Sequence, residues 1–254
     1  MMYMKEELKK VFEEYVDKFE KTSKIIVKKE HTLRVANNCY EIASFLNLSD
    51  DDKIIAYLIG LCHDLGRFKQ LALTDSFSDH DTNIDHAALS VEILFKEGLI
   101  NKFMDTMDYD DIIKNAIFYH NKDEVAPNIG ERGTLFAKII RDADKLDILN
   151  IISVAEKENI FWYEEYNNLE INDKILNDHL SHKLINYKEI KTNLDTAIAY
   201  FNYAYDINFS WTKDRIIRND YYNIINNRFK GWFKKEHLLD TIYQKTMEYL
   251  KKDN

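Results

Sequence analysis

Apolar residues recur at intervals of three and four along most of the chain, the spacing of helices that bury one face. The first such stripe contains Leu8 and Phe12, and the second contains Val35 and Ile42. Residues 54–62 form a nearly continuous apolar run, which predicts a buried helix. The same spacing predicts further helices at 86–97, 109–120, 133–155, 184–206, 213–230 and 234–251. Because no strand pair and no internal repeat is evident, we predict an all-α helical bundle.

Two segments interrupt this periodicity. Residues 66–84 are polar and weakly periodic, which predicts a long loop of the kind that often carries function. Residues 156–180 mix aromatic, acidic and asparagine side chains. We therefore predict a core at 1–155 and an aromatic-rich helical extension at 156–254. Because no proline- or glycine-rich linker separates them, we expect the extension to pack on the core.

The composition supports long helices and narrows the range of partners. The chain has six glycines and one proline, and 35 basic against 44 acidic residues give a net charge of −9. That charge disfavours binding of a nucleic-acid polymer, although a small phosphorylated substrate needs only a local cluster of cations. No segment approaches the ~20 apolar residues that span a bilayer, and no signal peptide is evident. We predict a cytoplasmic protein without a membrane partner, with Cys39 and Cys62 reduced, and the oligomeric state stays open.

Several histidines and carboxylates lie in line with apolar helix faces. Burying so many polar groups is costly unless they are paired, and a divalent cation pairs both imidazole and carboxylate. Each histidine alone is more typical of a hydrogen-bonded core residue than of a metal ligand, but the set drawn from five segments indicates a metal site. The residues in these positions are His31, His63, Asp64, His86, His120 and Asp144.

The order of these residues resembles the HD-domain superfamily of metal-dependent phosphohydrolases. The resemblance covers about residues 25–155 and implies a helical HD-domain fold. A lone His-Asp pair is weak evidence, but several motifs in family order are specific. They stand here as KKEHTLRVA (His31), GLCHDLGRF (His63-Asp64), NIDHAALSVEIL (His86), AIFYHNK (His120) and IIRDADKLDIL (Asp144).

The resemblance implies a divalent ion (Mn, Fe, Co, Mg, Ni or Zn) that activates a water to attack phosphorus. One ion would be held by His31, His63, Asp64 and Asp144. His86 and His120 would add the ligands of a second ion, with Asp64 as the bridge, or would donate hydrogen bonds to phosphate in a one-metal site. Asp64 is also the nearest acceptor for the proton of the water, and both ion counts stay open.

The last carboxylate ligand has to be chosen among Asp142, Asp144 and Asp147. In the family, the ligand is the aspartate of an Ala-Asp pair, which matches Asp144. The helical register of the preceding apolar residues agrees with this choice. Asp142 and Asp147 are expected to be orienting partners or ordinary helix residues.

A phosphoryl group also needs cations close to it. Arg67 is the first choice as a catalytic and substrate-binding cation, with Lys122 as a second substrate-binding residue and Lys145 as a second catalytic one. A surface-charge interpretation is as good for each of them. In particular, Arg67 would order the following segment instead if it pairs with Asp75, Asp79 or Asp85.

Other chemistry-bearing residues are given structural interpretations. A second pair, His80-Asp81, lies in the polar segment 66–84 without an apolar frame. His179 and His182 lie in a segment that looks exposed. Stacking on a nucleotide base is the alternative to core packing for the aromatic residues Phe161, Trp162, Tyr163 and Tyr166.

The predicted function is hydrolysis of phosphate esters in a nucleotide or other small phosphorylated metabolite. One alternative is a di-iron oxygenase, because some proteins with this fold use dioxygen. The other is a ligand-sensing HD domain without turnover, against which the intact ligand set argues. Within the family, the subgroup that hydrolyses cyclic dinucleotides carries a Gly-Tyr-Pro segment. The single proline here lies in Ala126-Pro127-Asn128, so the chain lacks the mark of that subgroup.

Overall fold

The computed structural model describes residues 4–161 and 170–252. These residues form helices, and no strand occurs among them, so the prediction of an all-α fold is confirmed. Within the same residues, no helix is both long and apolar enough to cross a membrane. The chain divides into two compact units, Met1–Asp144 and Lys145–Asn254. The domain boundary that the sequence places after residue 155 stays a prediction.

Most of the longer helices of the first unit follow the predicted apolar stripes. The side chains of Thr22 and Ser49 cap the second and third helices by accepting hydrogen bonds from the backbone N–H groups of Ile25 and Asp52. The helices are α1 (Lys5–Val16), α2 (Ser23–Phe45), α3 (Asp50–Cys62), α4 (Leu65–Thr74), α5 (Asp79–Thr82), α6 (His86–Val91), α7 (Ile100–Phe103), α8 (Asp110–Tyr119) and α9 (Gly130–Val154), the last of which continues past Asp144.

The core of the first unit lies where α2 packs on α3. Val35 and Ile42 of α2 are fully buried. The two helices approach closely at Gly60, where a Cβ atom would lie 2.5 Å from the Cα of Ala36. Cys39 and Cys62 are buried there as free thiols. Close packing of this kind fixes α3, whose C-terminal end carries His63.

The prediction of a loop at 66–84 is wrong for most of that segment. Residues 65–74 form α4 and residues 79–82 form α5. Apolar residues are sparse in this segment, but Leu65, Phe68 and Leu71 are buried along one face of α4. These three residues suffice to hold the helix against the core. Gly66 allows α4 to approach α6, since a Cβ there would lie 2.3 Å from the carbonyl oxygen of His86.

The second unit is also helical, with two differences from the predicted segments. The predicted helix at 184–206 is shorter, because 3-10 turns precede and follow its α-helical part. The predicted helix at 213–230 is broken at Asp220, which adopts a left-handed conformation with φ 55° that short polar residues tolerate. The helices are α10 (Asp173–Leu180), α11 (Asn193–Asn202), α12 (Ser210–Arg218), α13 (Tyr221–Phe233) and α14 (Glu236–Lys252).

Aromatic side chains form much of the core of the second unit. The rings of Phe161 and Phe233 meet edge to face at 5.1 Å, and those of Phe201 and Tyr222 stack at 5.6 Å. Such pairs add to the stabilisation from apolar burial. For Phe161 this matches the core-packing interpretation, whereas Trp162, Tyr163 and Tyr166 lie outside the described residues.

Candidate metal centre

The six predicted ligands come together in the first unit. His31 lies on α2, His63 and Asp64 lie between α3 and α4, and His86 begins α6. His120 directly follows α8, and Asp144 lies on α9. The four histidines and Asp64 are buried, and Asp144 is half-buried. Three groups have their ligand atoms within 4.8 Å of one another: His31 with His63 and Asp64, His63 with His120 and Asp144, and Asp64 with His86 and His120.

The turn that carries His63 and Asp64 is held by hydrogen bonds on both sides. The Nδ1 of His63 donates to the carbonyl oxygen of Gly60 at 2.8 Å. Ser90 of α6 donates to the carbonyl oxygen of His63 at 2.8 Å, and its hydroxyl accepts from the N–H of Gly66 at 2.8 Å. These contacts hold the backbone of the turn and orient the ring of His63.

The carboxylate of Asp64 faces histidines on two sides. Its Oδ2 lies 3.2 Å from the Nε2 of His63 and 3.6 Å from the Nε2 of His31. Its Oδ1 lies 3.5 Å from the Nε2 of His86. A carboxylate in this position can bind an ion through each oxygen, which is the role of a bridging ligand.

Asp144 completes the group around His31 and His63. Its Oδ1 lies 3.2 Å from the Nε2 of His31 and 3.7 Å from the Nε2 of His63. Asp142 and Asp147, the alternatives from the sequence, are buried elsewhere on α9 and belong to none of the groups of potential ligands. The geometry therefore favours Asp144 among the three aspartates.

The second half of the site is formed by His86 and His120, whose imidazole rings bring two nitrogens face to face. The Nδ1 of His120 donates to the carbonyl oxygen of Ile117 at 2.6 Å, and the Nδ1 of His86 donates to Asp79 at 2.6 Å. Each ring therefore directs the lone pair of its Nε2 inward. These two Nε2 atoms are 3.0 Å apart.

The arrangement fits a bound divalent cation. Facing lone pairs repel each other unless a positive charge lies between them. The Nε2 of His63 is also buried and has no hydrogen-bond partner among the described residues. Neutral imidazole and ionised carboxylate are the ligands that divalent transition metals prefer, so the residues present match the ion that the sequence predicts.

The electrostatics keep the carboxylates ionised. Burial opposes the charge of Asp64, but Lys28, His63 and His31 together hold its pKa well below the usual range. Burial likewise opposes the charge of Asp144, and His31 and His63 lower its pKa. Both side chains are therefore available as anionic ligands at neutral pH.

The histidines of the second half are kept neutral. Burial lowers the pKa of His86, and the nearby Arg67 lowers it further. Burial also lowers the pKa of His120 well below its usual range, and His86 and His63 act in the same direction. A metal ligand must offer an unprotonated nitrogen, which is the form that these surroundings favour.

A fourth group of potential ligands shares His86 with this centre and is filled by an amide. Asp79, Asp85 and His86 bring ligand atoms within 4.8 Å of one another. The Nδ2 of Asn121 lies 3.4 Å from Asp79, 3.3 Å from Asp85 and 3.3 Å from the Nδ1 of His86. The side-chain amide therefore takes the place that a cation would need.

Each cation predicted from the sequence has a carboxylate partner. Lys122 donates to Asp85 at 2.5 Å, and Lys145, in the second unit, donates to Asp206 at 2.7 Å. The roles of Lys122 in substrate binding and of Lys145 in catalysis stay predictions.

Arg67 makes the contacts expected of a residue that orders its own segment. Its Nη1 donates to Asp79 and to the carbonyl oxygen of Phe77 at 2.5 Å each, and to Gln70 at 2.7 Å. Its Nε still lies 3.9 Å from the Oδ1 of Asp64. Binding of phosphate by Arg67 therefore stays a prediction beside the loop-ordering alternative.

Sequence reasoning missed three residues that surround the centre. Lys28 donates to the Oδ2 of Asp64 at 2.7 Å, and its position three residues before His31, on the same helix face, was the available signal. Asp79 was considered only as a partner of Arg67, not of His86. Arg141 donates to the carbonyl oxygens of Tyr119 and Lys122, at 2.8 and 2.5 Å, which holds the segment of His120.

Comparison with known proteins agrees with the motifs. Residues 29–149 match the family model described as HD domain, and this segment contains all six potential ligands. Neither a curated protein nor a solved structure matches the chain. Most members of the superfamily are metal-dependent phosphohydrolases. The segment 29–149 is therefore an HD domain, which is consistent with the HD-domain superfamily that the motifs resemble.

Proposed function

We propose that this protein is a metal-dependent hydrolase of phosphate esters. The observation that carries the proposal is the position of Asp64, whose two oxygens lie 3.2 Å from His63 and 3.5 Å from His86. A carboxylate between two histidine groups would be suited to share two ions, as in two-metal enzymes that displace phosphate oxygens.

The chain's residues would share the work in the following way. His31, His63, Asp64 and Asp144 would hold the first ion, and Asp64 with His86 and His120 would hold the second. A divalent ion in such a site supplies a water of lowered pKa and polarises a phosphoryl oxygen. Asp64 would be the nearest carboxylate to accept the proton of that water.

The substrate would be small and anionic. A net charge of −9 disfavours a long polyanion, whereas a single phosphate group needs only local cations. Arg67 and Lys122 would supply these, with Lys145 as a further catalytic cation. Each would have to exchange its present carboxylate partner for phosphate oxygens, which suits residues that bind substrate reversibly.

A reconstitution experiment tests the proposal. The full chain is purified, stripped of metal and reloaded with Mn, Co, Fe, Mg, Ni or Zn. Phosphate release is then measured from nucleotides and phosphomonoesters, together with dioxygen uptake. We expect phosphate release without dioxygen uptake. Oxygen consumption on turnover would instead support the di-iron oxygenase, and metal binding without any turnover would support a sensing domain.

Substitutions of the ligands connect the activity to the site. Asp64→Ala is expected to lose both metal and phosphate release while the far-ultraviolet circular dichroism stays helical. Asp111→Ala, at an exposed position of α8, serves as the control and should keep both. His86→Ala and His120→Ala should each lose about one ion per chain. Unchanged metal content with weaker substrate binding would instead indicate a one-metal site in which these histidines donate hydrogen bonds to phosphate.

A further inference from the structure

Asp79 lies beside the centre and connects two of its parts. Its Oδ2 accepts hydrogen bonds from the Nδ1 of His86 at 2.6 Å and from Asn121 at 3.4 Å. Its Oδ1 accepts from Arg67 at 2.5 Å and from Gln70 at 3.2 Å. The carboxylate is only partly exposed, and all four contacts use it as an acceptor.

These contacts determine which nitrogen of His86 carries the proton. An ionised carboxylate can only accept, so the hydrogen must lie on the Nδ1 of His86, and its Nε2 must present a lone pair. That lone pair faces the Nε2 of His120 at 3.0 Å and the Oδ1 of Asp64 at 3.5 Å. In this tautomer the Nε2 of His86 can bind a cation but cannot donate a hydrogen bond to phosphate.

We propose that Asp79 is a positioning residue that fixes the tautomer of His86 and thereby makes it a ligand of the second ion. The inference rests on the proposed function only in assuming that His86, His120 and Asp64 hold an ion. Carboxylates that accept from metal-bound histidines also raise the basicity of the ligand nitrogen. Asp79 therefore acts through His86 and does not itself touch the ion.

Asp79→Asn inverts this arrangement with little change of shape. The amide oxygen can still accept from Arg67, while the amide Nδ2 then faces the Nδ1 of His86. His86 must now accept at Nδ1 and carry its hydrogen on Nε2, where it donates to His120. The second ion thus loses a ligand, and in the metal-free protein the repulsion between two lone pairs is replaced by a hydrogen bond.

Titration of the metal-stripped full chain with Mn²⁺ measures the effect. We expect Asp79→Asn to weaken binding of the second ion by about 10–100-fold. The affinity for the first ion should not change. Asp75→Asn is the matched control, because Asp75 lies in the same segment but pairs with Lys24 at the surface. The control should bind both ions as the wild type does. Equal affinities in Asp79→Asn and wild type would overturn the inference, as would equal weakening of both ions.

Nitrogen-15 spectra of the metal-free proteins give a second readout that a merely structural role would not move. The protonated nitrogen of His86 should change from Nδ1 in the wild type to Nε2 in Asp79→Asn, and an unchanged position overturns the inference. A wild-type chain that binds only one Mn²⁺ overturns it too, while hydrolysis could stand. Two bound ions without release of phosphate from any ester would contradict only the proposed function.

Discussion

The ammonium group of Lys28 donates a hydrogen bond to the Oδ2 of Asp64 at 2.7 Å, and the same oxygen lies 3.2 Å from the Nε2 of His63. The side chains of Lys28 and Asp64 are only 16% and 4% exposed, so solvent screens this pair weakly. In the metal-free protein, Lys28 compensates the buried negative charge. An ion held by His63 and Asp64 would share the Oδ2 of Asp64 with the ammonium group of Lys28. Lys28 and the ion would therefore compete for the same carboxylate oxygen.

Lys28→Met should therefore change metal affinity and metal-free stability in opposite directions. We expect the first ion to bind about 10-fold more tightly, which is ~1.4 kcal/mol, because a competing positive charge is removed. The metal-free protein should lose about 3–5 kcal/mol in free energy of unfolding, because Asp64 is left buried without its lysine. Calorimetric titration with Mn²⁺ and urea unfolding measure the two effects.

The neighbouring Lys29 provides the control for that experiment. Lys29 pairs with Glu13 at 3.3 Å and is half-buried, so Lys29→Met also removes one positive charge from α2. It should leave metal affinity close to that of the wild type. Weaker metal binding in Lys28→Met than in Lys29→Met would show that Lys28 supports the ion instead of opposing it.

The convergence of the site was predictable from sequence because each of its residues is in line with an apolar helix face. His31 and Asp144 are examples, since periodicity alone turns both inward. The surroundings of the site were not predictable in this way. Asp79 reaches His86 only because α4 and α5 fold, and neither the sparse apolar spacing of α4 nor the four-residue α5 has a strong periodic signal.

Helix ends were also harder to predict than helix faces. Asp220 interrupts a segment whose apolar spacing continues on both sides, because one left-handed residue ends α12 without disturbing the hydrophobic pattern. His179 was expected in an exposed segment from its polar neighbours, but it is fully buried. Its burial depends on α14, which lies more than 50 residues further along the chain.

Arg67→Lys tests whether Arg67 binds substrate or only orders its segment. Lysine keeps the charge but loses the planar donors that bind phosphate oxygens in pairs. We expect kcat/KM to fall by about 10–100-fold, a loss of ~1–3 kcal/mol in transition-state stabilisation, with metal content unchanged. Lys69→Ala removes a half-buried cation of the same helix, which pairs with Glu97, and should leave kcat/KM unchanged. Normal kinetics together with new protease cleavage within 66–84 would assign Arg67 to loop ordering alone.

Gly60→Ala should destabilise the first unit by overpacking α2 against α3. The added Cβ would lie 2.5 Å from the Cα of Ala36, and backbone atoms cannot move aside as a flexible side chain would. We expect a loss of about 2–3 kcal/mol or more in free energy of unfolding, measured by circular dichroism in urea. Gly231→Ala is the control, because a Cβ there meets nothing within 4 Å. It should be neutral or stabilise α13 by up to ~1 kcal/mol.

His179 predicts a pH dependence for the stability of the second unit that is independent of any metal. Its side chain is fully buried, and its Nε2 lies 3.3 Å from the carbonyl oxygen of Ile242 and 3.3 Å from the hydroxyl of Tyr205. Its buried Nδ1 has no hydrogen-bond partner among the described residues. Burial lowers the pKa of His179 from 6.5 to about 4. The hydrogen bond to the backbone of Ile242 opposes this shift, and the nearby His182 lowers the pKa further.

Because the pKa of His179 is lower in the folded state, the unfolded chain binds the additional proton between pH 6.5 and 4. Stability should therefore fall as the pH falls through this range, by about 3 kcal/mol in all. Tryptophan fluorescence in urea can follow this, since all three tryptophans of the chain lie after residue 145. His179→Gln, which cannot titrate, should flatten the pH dependence, whereas the exposed His237→Gln should leave it as in the wild type. A slope that survives in His179→Gln would assign the acid sensitivity of this unit to another group.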